Sequence, residues 1–422
     1  MTSHTHLRLG PPTVAVIGTM DTKGHEHSYV CDIITDAGGA VVVIDTGIMA
    51  GPRGITPDYS ASDVAQAAGT SLDAVRALGS RGPAVETMEI GLEALLKRLF
   101  SEGRIHGVIA LGGAEGTVLG TRAMRALPLG FPKLMVSAIA SGRRQFGTYV
   151  GASDVTIMHS VVDVAGLNDI SRAVFGNAAG GVLGMARYYQ QHEADRSGRP
   201  IIAVSMLGNT QKAYDNLAPQ LIDRGLQPIP FHANGVGGAA MEVLIADGRA
   251  VAVIDMTLNE ISNQMMGGVT AGDDQRLRTA GAHGIPQVIV PGSVDFFTFG
   301  AIDTVPEKYL DRRLYRHNPN FTLVRASADE MAQFGREIAE RLSSSTAPTV
   351  VIWPRRGLSL EDRPGGLFED RVANDALLDA LRAGLPPSIE ITEIDAHISD
   401  IELADEVVKA VMERVTLEPA IA

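Results

Sequence analysis

Buried apolar runs alternate with amphipathic stretches along the chain, and the first complete alternation spans Thr13–Asp45. Val14–Ile17 form a continuous apolar run, which is typical of a parallel strand covered on both faces. The helical spacing i, i+3, i+4, i+7 is then met by Val30, Ile33, Ile34 and Ala37. A second apolar run, Val41–Ile44, predicts the next strand. The segment therefore predicts a βαβ unit.

The same alternation continues to the end of the chain. Further strands are predicted at Gly107–Leu111, Lys133–Ser137, Ile201–Ser205, Leu226–Pro230 and Thr349–Trp353. Further helices are predicted at Ala84–Phe100, Asn168–Ala186, Ser327–Leu342 and Ser399–Val415. The last two carry Ser-x-x-Glu capping boxes, with Glu330 and Glu402 as the acidic members.

A polar joint, Gln190–Pro200, divides this pattern in two. After the joint the alternation restarts, and its second strand follows the first at the same offset as in the N-terminal half. We therefore predict an α/β protein of two tandem Rossmann-like domains with mainly parallel sheets, residues 1–190 and 200–422. A single (β/α)₈ barrel is the alternative, but the joint would interrupt it.

The turn after the first strand, Gly18–Gly24, carries the strongest chemical signal. It lies between the carboxyl end of a strand and the amino end of a helix, where free N–H groups and the helix dipole favour anions. Lys23 adds a positive charge, Thr19 and Thr22 add hydroxyl donors, and Asp21 could hold a hydrated Mg²⁺. The turn is thus a candidate phosphate and metal site. The simpler alternative is that Asp21 and Thr22 cap the helix while Lys23 is solvated.

Known nucleotide fingerprints are absent, since the sequence contains neither G-x-x-x-x-G-K-[ST] nor a G-x-G-x-x-G after a strand. The net charge of −13 and an aromatic content of 5% argue against binding to nucleic acid or anionic membranes. The single cysteine, Cys31, excludes an internal disulfide, and we expect it to be a packing residue. The N-terminal stretch lacks an apolar signal-peptide core, which favours a cytoplasmic protein.

Several ordered motifs resemble one family. They include GTMDTKGHE at 18–26, LGGAEGT at 111–117, PKLMVSAIASG at 132–142, FHANGVGGAAMEVLI at 231–245 and GIPQVIVPGSVDFFTFG at 284–300. Together they resemble the ATP-binding domain family of the tomato mosaic virus resistance protein and its uncharacterised bacterial relatives. The resemblance covers nearly the whole chain.

The resemblance implies two Rossmann-like subdomains, ATP and Mg²⁺ bound by the first, and a homodimer. At matching positions the nucleotide would meet the turn residues already named, with Asp21 as the metal ligand. A second set of implied contacts comprises Gly112, Gly113, Ala114, Glu115, Gly116, Thr117, Ser137, Ser141 and Gly142. One departure is notable, because relatives usually carry glycine where this chain has Glu115. A carboxylate there would oppose a phosphate unless it binds a metal ion or a ribose hydroxyl.

Polar residues in the second half are candidates for acid–base chemistry, namely His232, Glu260, Asp295 and His317. Each of them could instead cap a helix or hold a loop. Two functions follow from the sequence. In the first, the protein is an enzyme that uses ATP and Mg²⁺ to act on a small molecule in a cleft between the domains. In the second, it is a nucleotide-binding regulatory or interaction module without turnover.

Overall fold

The computed structural model describes residues 10–140, 147–192 and 198–415. The chain folds into two compact units, Met1–Ser197 and Gly198–Ala422. Each unit is built on its own, largely parallel sheet, as the two-domain Rossmann-like prediction requires. A single barrel is wrong, because the two parallel sheets share no strand.

The first unit contains a five-stranded parallel sheet in the order β2-β1-β3-β4-β5. Its strands are β1 (Thr13–Gly18), β2 (Ala40–Asp45), β3 (Gly107–Gly112), β4 (Lys133–Ser137) and β5 (Thr156–His159). Its helices are α1 (Met20–Asp36), α2 (Ala61–Ala67), α3 (Leu72–Arg76), α4 (Arg81–Ser101), α5 (Ala114–Arg125), α6 (Gly147–Val150) and α7 (Asp169–His192).

Alternating side chains of β1 explain why this sheet is covered on both faces. Ala15 and Ile17 pack with Leu92 of α4, whereas Val14 and Val16 pack with α1 and α7. All four β1 residues are fully buried. The continuous apolar run in the sequence is therefore the consequence of two helical layers.

The second unit contains a six-stranded sheet in the order β14-β13-β9-β8-β6-β7 and a three-stranded antiparallel sheet in the order β10-β12-β11. The parallel strands are β6 (Ile201–Met206), β7 (Gln227–His232), β8 (Ala250–Asp255), β9 (Gln287–Ile289), β13 (Thr349–Pro354) and β14 (Glu390–Ile394). The antiparallel strands are β10 (Phe296–Phe299), β11 (Leu314–Asn318) and β12 (Phe321–Arg325). The helices are α8 (Gln211–Asp223), α9 (Gly237–Ala246), α10 (Asn259–Met266), α11 (Thr279–Ala282), α12 (Ala328–Leu342), α13 (Arg371–Gly384) and α14 (Ile401–Arg414). Short 3₁₀ helices lie at Gly208–Thr210, Ile302–Thr304 and Glu307–Tyr309.

The two predicted capping boxes have different outcomes. Ser327 caps α12 as predicted, because its hydroxyl accepts from the Glu330 N–H while the Glu330 carboxylate accepts from the Ser327 N–H. The Ser399–Glu402 box is wrong. The N-cap of α14 is Asp400, and its carboxylate turns back to accept from the His397 N–H at 2.8 Å. In the described part of the chain, no α helix is both long and apolar enough to span a bilayer.

Candidate functional site

The first sheet has a topological switch point between β1 and β3. Strand order leads outward from β1 to β2 on one side and from β3 to β5 on the other, so the turns after β1 and β3 lie side by side. Ligands of open α/β sheets bind at such points, outside the carboxyl ends of the strands. A cavity of about 880 Å³ lies there, which we call the switch-point cavity. Four segments line it: Thr19, Asp21, Thr22 and Lys23; Thr46, Ile48 and Met49; Val75, Arg76, Gly79–Arg81, Ala84, Val85 and Met88; and Gly112–Gly116 with Leu119.

The β1–α1 turn differs from the capping alternative for it. Thr19 is the N-cap of α1 but makes no side-chain capping bond, and its hydroxyl lies 3.0 Å from that of Thr22. Lys23 departs from helical geometry, with φ −129° and ψ 21°. The Lys23 ammonium donates to the carbonyl oxygen of Val164 while the residue also lines the cavity. The capping alternative is therefore wrong for Asp21 and Thr22, because neither side chain caps the helix.

Asp21 and Asp45 hold the β1 and β2 ends of the cavity together. Asp21 Oδ2 accepts from the N–H groups of Met49 and Ala50 at 3.0 and 3.3 Å. Asp45 Oδ1 accepts from the N–H groups of Met20 and Gly47 at 2.9 and 2.8 Å. Burial raises the pKa of Asp45, and the neighbouring Asp21 charge acts in the same direction. Both carboxylates are almost completely buried.

The segment after β3 is a helix N-terminus rather than a loop. Gly113 is the N-cap of α5, and the Thr117 N–H donates to the Gly113 carbonyl at 2.9 Å. The bond from Thr117 is the first within the helix. The N–H groups of Ala114, Glu115 and Gly116 come before it, so the helix contains no carbonyl that could accept from them. Gly112 must be glycine, because a Cβ would lie 2.7 Å from the Gly116 Cα. The site therefore presents backbone donors to the cavity.

Glu115 lies in the first turn of α5 and forms an ion pair with Arg81, with Nη2 and Oε2 2.5 Å apart. Acidic residues are favourable in a helix's first turn because the dipole is positive there. Both side chains are substantially exposed, at 46% and 78%, so the pair contributes little to stability. Arg81 can therefore exchange this partner for another anion at small cost.

Sequence patterns did not indicate that α3 and α4 contribute to the cavity. Arg76 reaches across to the Ile48 carbonyl, with 2.7 Å between Nε and O. Arg81 opens α4, and its N-cap Ser80 makes no side-chain capping bond. The sequence did contain an indication of this. Ser80 and Pro83 are typical of the start of a helix, and the cationic Arg81 lies between them. The sequence could not indicate that the N-terminus of α4 lies at the same cavity as the turns after β1 and β3.

Other implied nucleotide contacts lie elsewhere. Thr117 and Ser137 are buried behind the cavity, where their hydroxyl oxygens are 2.7 Å apart. Neither residue is among those that line it. Ser141 and Gly142 fall outside the described residues.

The candidate acid–base residues of the second unit have unlike surroundings. His232 and His317 are exposed, at the ends of β7 and β11. Glu260 is fully buried, and its Oε1 accepts from the N–H groups of Gly235 and Gly238 at 2.7 and 3.1 Å. Its Oε2 accepts from Arg276 Nε at 2.6 Å. Both carboxylate oxygens of Glu260 thus bind groups of the protein itself, namely backbone N–H groups and the Arg276 guanidinium.

Asp295 is fully buried, and one of its two carboxylate oxygens lacks a hydrogen bond from the described residues. Its Oδ2 accepts from the Ser359 hydroxyl at 2.9 Å, whereas Oδ1 has no hydrogen-bond partner within the described part of the chain. Burial and the charge of nearby Asp362 raise the pKa of Asp295 to about 7, against the opposing effect of Arg325. A carboxyl group with a pKa close to neutral pH is typical of residues that transfer protons.

Replacement of Asp295 by asparagine is expected to stabilise the protein increasingly as the pH rises from 4 to 7. The folded state holds the proton up to a pKa of about 7, whereas the unfolded state loses it near 3.8. The wild type therefore loses stability through this window, by at most about 1.4 kcal/mol per pH unit, and the neutral amide does not. Urea denaturation at several pH values measures the difference. Exposed Asp303→Asn is the control, and a gain that does not vary with pH would contradict the prediction.

Comparison with known proteins identifies the family. Residues 12–191 match the family model described as the N-terminal domain of uncharacterised protein family UPF0261, and residues 199–415 match that of its C-terminal domain. The chain belongs to the UPF0261 family. A UPF0261 protein of Clostridium tetani is 37% identical over 392 residues, covering 93% of this chain and 96% of its own. A UPF0261 protein of Mesorhizobium japonicum is 38% identical over 393 residues, with the same coverage.

A plant relative confirms the resemblance found in the sequence. The ToMV susceptible protein tm-1(GCR26) of Solanum lycopersicum is 31% identical over 422 residues, which cover 95% of this chain but 56% of the tomato protein. Among solved structures, a UDP-N-acetylglucosamine 2-epimerase of Rickettsia bellii covers 96% of this UPF0261 chain and 97% of its own at 11% identity. Its TM-score of 0.23 is too low to support any argument.

Proposed function

We propose that this UPF0261 protein binds ATP, with Mg²⁺, in the switch-point cavity of its first unit. One observation carries the proposal: the N-termini of α1, α4 and α5 all line one cavity, and at none of them does the N-cap side chain bond to the helix, although Asp45 accepts from the first N–H of α1. Helix N-termini attract anions through free N–H groups and the positive end of the dipole. The resemblance described above independently implies ATP.

Side-chain charge supports an anionic ligand. Lys23, Arg76 and Arg81 line the cavity with their cationic side chains, against the carboxylates of Asp21 and Glu115. The partners of Lys23 and Arg81 within the described residues are a carbonyl oxygen and an exposed carboxylate, so a phosphate can take their place.

The remainder of the cavity suits the nucleoside. Val75, Ala84, Met88 and Leu119 add apolar side chains to the lining of the cavity. A volume of about 880 Å³ lies within the usual range for small-molecule pockets. A ligand with a polyanionic end and a flat apolar end matches both kinds of lining residue.

The residues present also fit Mg²⁺ that arrives with the nucleotide. Mg²⁺ is usually held by one or two carboxylates together with substrate phosphates and water. Asp21 lines the cavity, and in the described part of the chain no group donates a hydrogen bond to its Oδ1. In the bound state Mg²⁺ would offset phosphate charge beside this carboxylate, while Lys23 and the helix N-termini orient the phosphates.

Between the two functions left open by the sequence, Asp295 favours an enzyme. A buried carboxyl with a pKa of about 7, one of whose oxygens has no hydrogen-bond partner among the described residues, suits proton transfer, which a binding module does not need. The test is ATP turnover against a panel of small carboxylic and sugar acids, with products identified by mass spectrometry. Binding without turnover of any compound would favour the module. The homodimer stays a prediction.

Substitution of Glu115 by glycine, the residue that the resemblance implies at this position, is expected to tighten ATP binding several-fold. The change removes a negative charge from the edge of the cavity and frees Arg81 from its ion pair. Calorimetry with Mg-ATP measures the effect, and Glu115→Gln controls for the lower helix propensity of glycine. Weaker binding by both variants would mean that Glu115 contacts the ribose or the metal directly.

A further inference from the structure

A further cavity of the first unit, of about 370 Å³, is lined by residues of α4 and α5 together with Tyr149 of α6. We call it the α4–α5 cavity. Its volume lies at the lower end of the usual range for small-molecule pockets. The nucleotide proposed above does not account for it, because most of its lining residues are absent from the lining of the switch-point cavity.

The α4–α5 cavity adjoins the switch-point cavity, because Arg81, Val85, Ala114 and Glu115 line both of them. The ion pair between Arg81 and Glu115 therefore lies at the boundary of the two cavities. A ligand bound in one cavity would lie beside a ligand bound in the other.

The charged residues of the α4–α5 cavity leave an excess of negative charge. Five charged side chains line it, and four of them form two ion pairs, Arg81 with Glu115 and Arg122 with Glu89. The fifth, Glu86, is exposed and forms neither a hydrogen bond nor an ion pair with any described residue. The cavity therefore contains one carboxylate without a counter-charge.

Glu89 provides a second observation that indicates a ligand. Its side chain is 7% exposed, and its Oε2 accepts from Arg122 Nη1 at 2.6 Å. Its Oε1 accepts no hydrogen bond from the described residues. A carboxylate oxygen that is largely shielded from water and lacks a donor is unfavourable. Such an oxygen at a cavity wall favours a ligand that brings a hydrogen-bond donor.

We propose that the α4–α5 cavity binds a small molecule that has an ammonium group and an apolar body. The ammonium lies beside Glu86 and Glu89, because it supplies both the missing positive charge and the missing donor. Val85, Val118 and Tyr149 contact the apolar body, and the face of the Tyr149 ring also attracts a cation. This site does not require a nucleotide, because all of these groups belong to the protein.

Bound nucleotide is expected to strengthen binding of the amine, and this part of the proposal rests on the proposed ATP function. When Arg81 turns to a phosphate, Glu115 loses its counter-charge at the boundary of the two cavities. Glu115 and the phosphates then both attract the ammonium. By linkage, the amine strengthens ATP binding by the same factor.

Calorimetric titration of the full chain with tyramine, in the absence of nucleotide, tests the amine site. The control ligand is 4-(2-hydroxyethyl)phenol, in which a hydroxyl replaces the ammonium. We expect saturable binding of tyramine and about tenfold weaker binding of the alcohol, because the alcohol lacks the charge. Glu86→Gln is expected to weaken tyramine binding by about threefold to fivefold, since it removes an exposed charge without breaking a bond within the protein.

Glu93→Gln is the matched control variant, because Glu93 lies on α4 two turns beyond Glu86 and does not line the cavity. Its affinity for tyramine should equal that of the wild type. Three results would each overturn the proposal: no saturable binding of tyramine by the wild type, equal affinity of the wild type for tyramine and the alcohol, or equal affinity of Glu86→Gln and the wild type for tyramine.

The same titration in the presence of Mg-ATP separates this proposal from the proposed function. Tyramine binding that Mg-ATP strengthens several-fold supports both. Tyramine binding that Mg-ATP leaves unchanged supports the amine site and overturns the coupling. If the chain binds ATP but no tyramine, the nucleotide function stands and the amine site is wrong.

Discussion

Replacement of Arg276 by methionine is expected to lower the free energy of unfolding of the second unit by about 3–5 kcal/mol. Arg276 is fully buried and binds three carboxylates. Its two terminal nitrogens lie 2.6 and 2.8 Å from the oxygens of Asp255, Nε lies 2.6 Å from Glu260, and Nη1 lies 3.2 Å from Glu242. Methionine fills similar volume but leaves these carboxylates buried without a counter-charge. Urea denaturation followed by circular dichroism measures the loss.

Arg278→Met is the matched control, because Arg278 lies two residues away and pairs with Glu340 at a site that is 32% and 61% exposed. Its loss should stay below about 1 kcal/mol. The penalty of Arg276→Met should shrink at acidic pH, because protonation removes the uncompensated charge. Burial already raises the pKa of Glu242. Equal losses in the two variants, or a penalty that does not vary with pH, would show that the cluster is not held by charge.

Lys23→Ala is expected to weaken ATP binding more than tenfold. A charge-assisted contact contributes roughly 1.5–3 kcal/mol, and 1.4 kcal/mol corresponds to a factor of ten in affinity. The alanine also removes the bond to the Val164 carbonyl, so Lys23→Met tests whether length without charge is sufficient. Calorimetry with Mg-ATP at two salt concentrations measures both variants.

The control for Lys23 is Lys97→Ala, which removes an exposed lysine of α4 that pairs with Glu93. Its ATP affinity should equal that of the wild type. If Lys23→Ala and the wild type bind ATP equally well, the assignment of the switch-point cavity to phosphate is wrong. If Lys23→Ala binds ATP weakly but Lys23→Met binds it as well as the wild type does, the role of Lys23 is packing and not charge.

Sequence patterns predicted the parallel sheets well, because a strand buried on both faces must be apolar at every position. Val14–Ile17 and Gly107–Leu111 correspond to β1 and β3 within one residue at each end. Patterns failed where polar residues are buried in helices. The turn-forming residue types at Asn259, Ser262, Asn263, Gly267 and Gly268 favour turns, yet Asn259–Met266 form α10. Its first residues are buried and bonded to neighbouring backbone, a tertiary effect that leaves no periodic signal.

The candidate site was predicted in part for the same physical reason. The turns after β1 and β3 follow apolar strands, so both were visible in the sequence. Arg76 and Arg81 were not, because a long and irregular connection separates them from β2. The hydroxyl of Thr46, which has no hydrogen-bond partner among the described residues, is likewise a property of packing, since the sequence shows only a threonine after an aspartate.

The buried thiol makes this chain convenient for spectroscopy. Cys31 is the single cysteine, is 9% exposed and faces the packed layer between α1 and the sheet. Burial raises the pKa of its thiol to about 12, so little thiolate exists at neutral pH to react with maleimides. Cysteines introduced at exposed positions can therefore be labelled selectively without first removing the native one. One dye in each unit would then report, by energy transfer, how their separation responds to ATP.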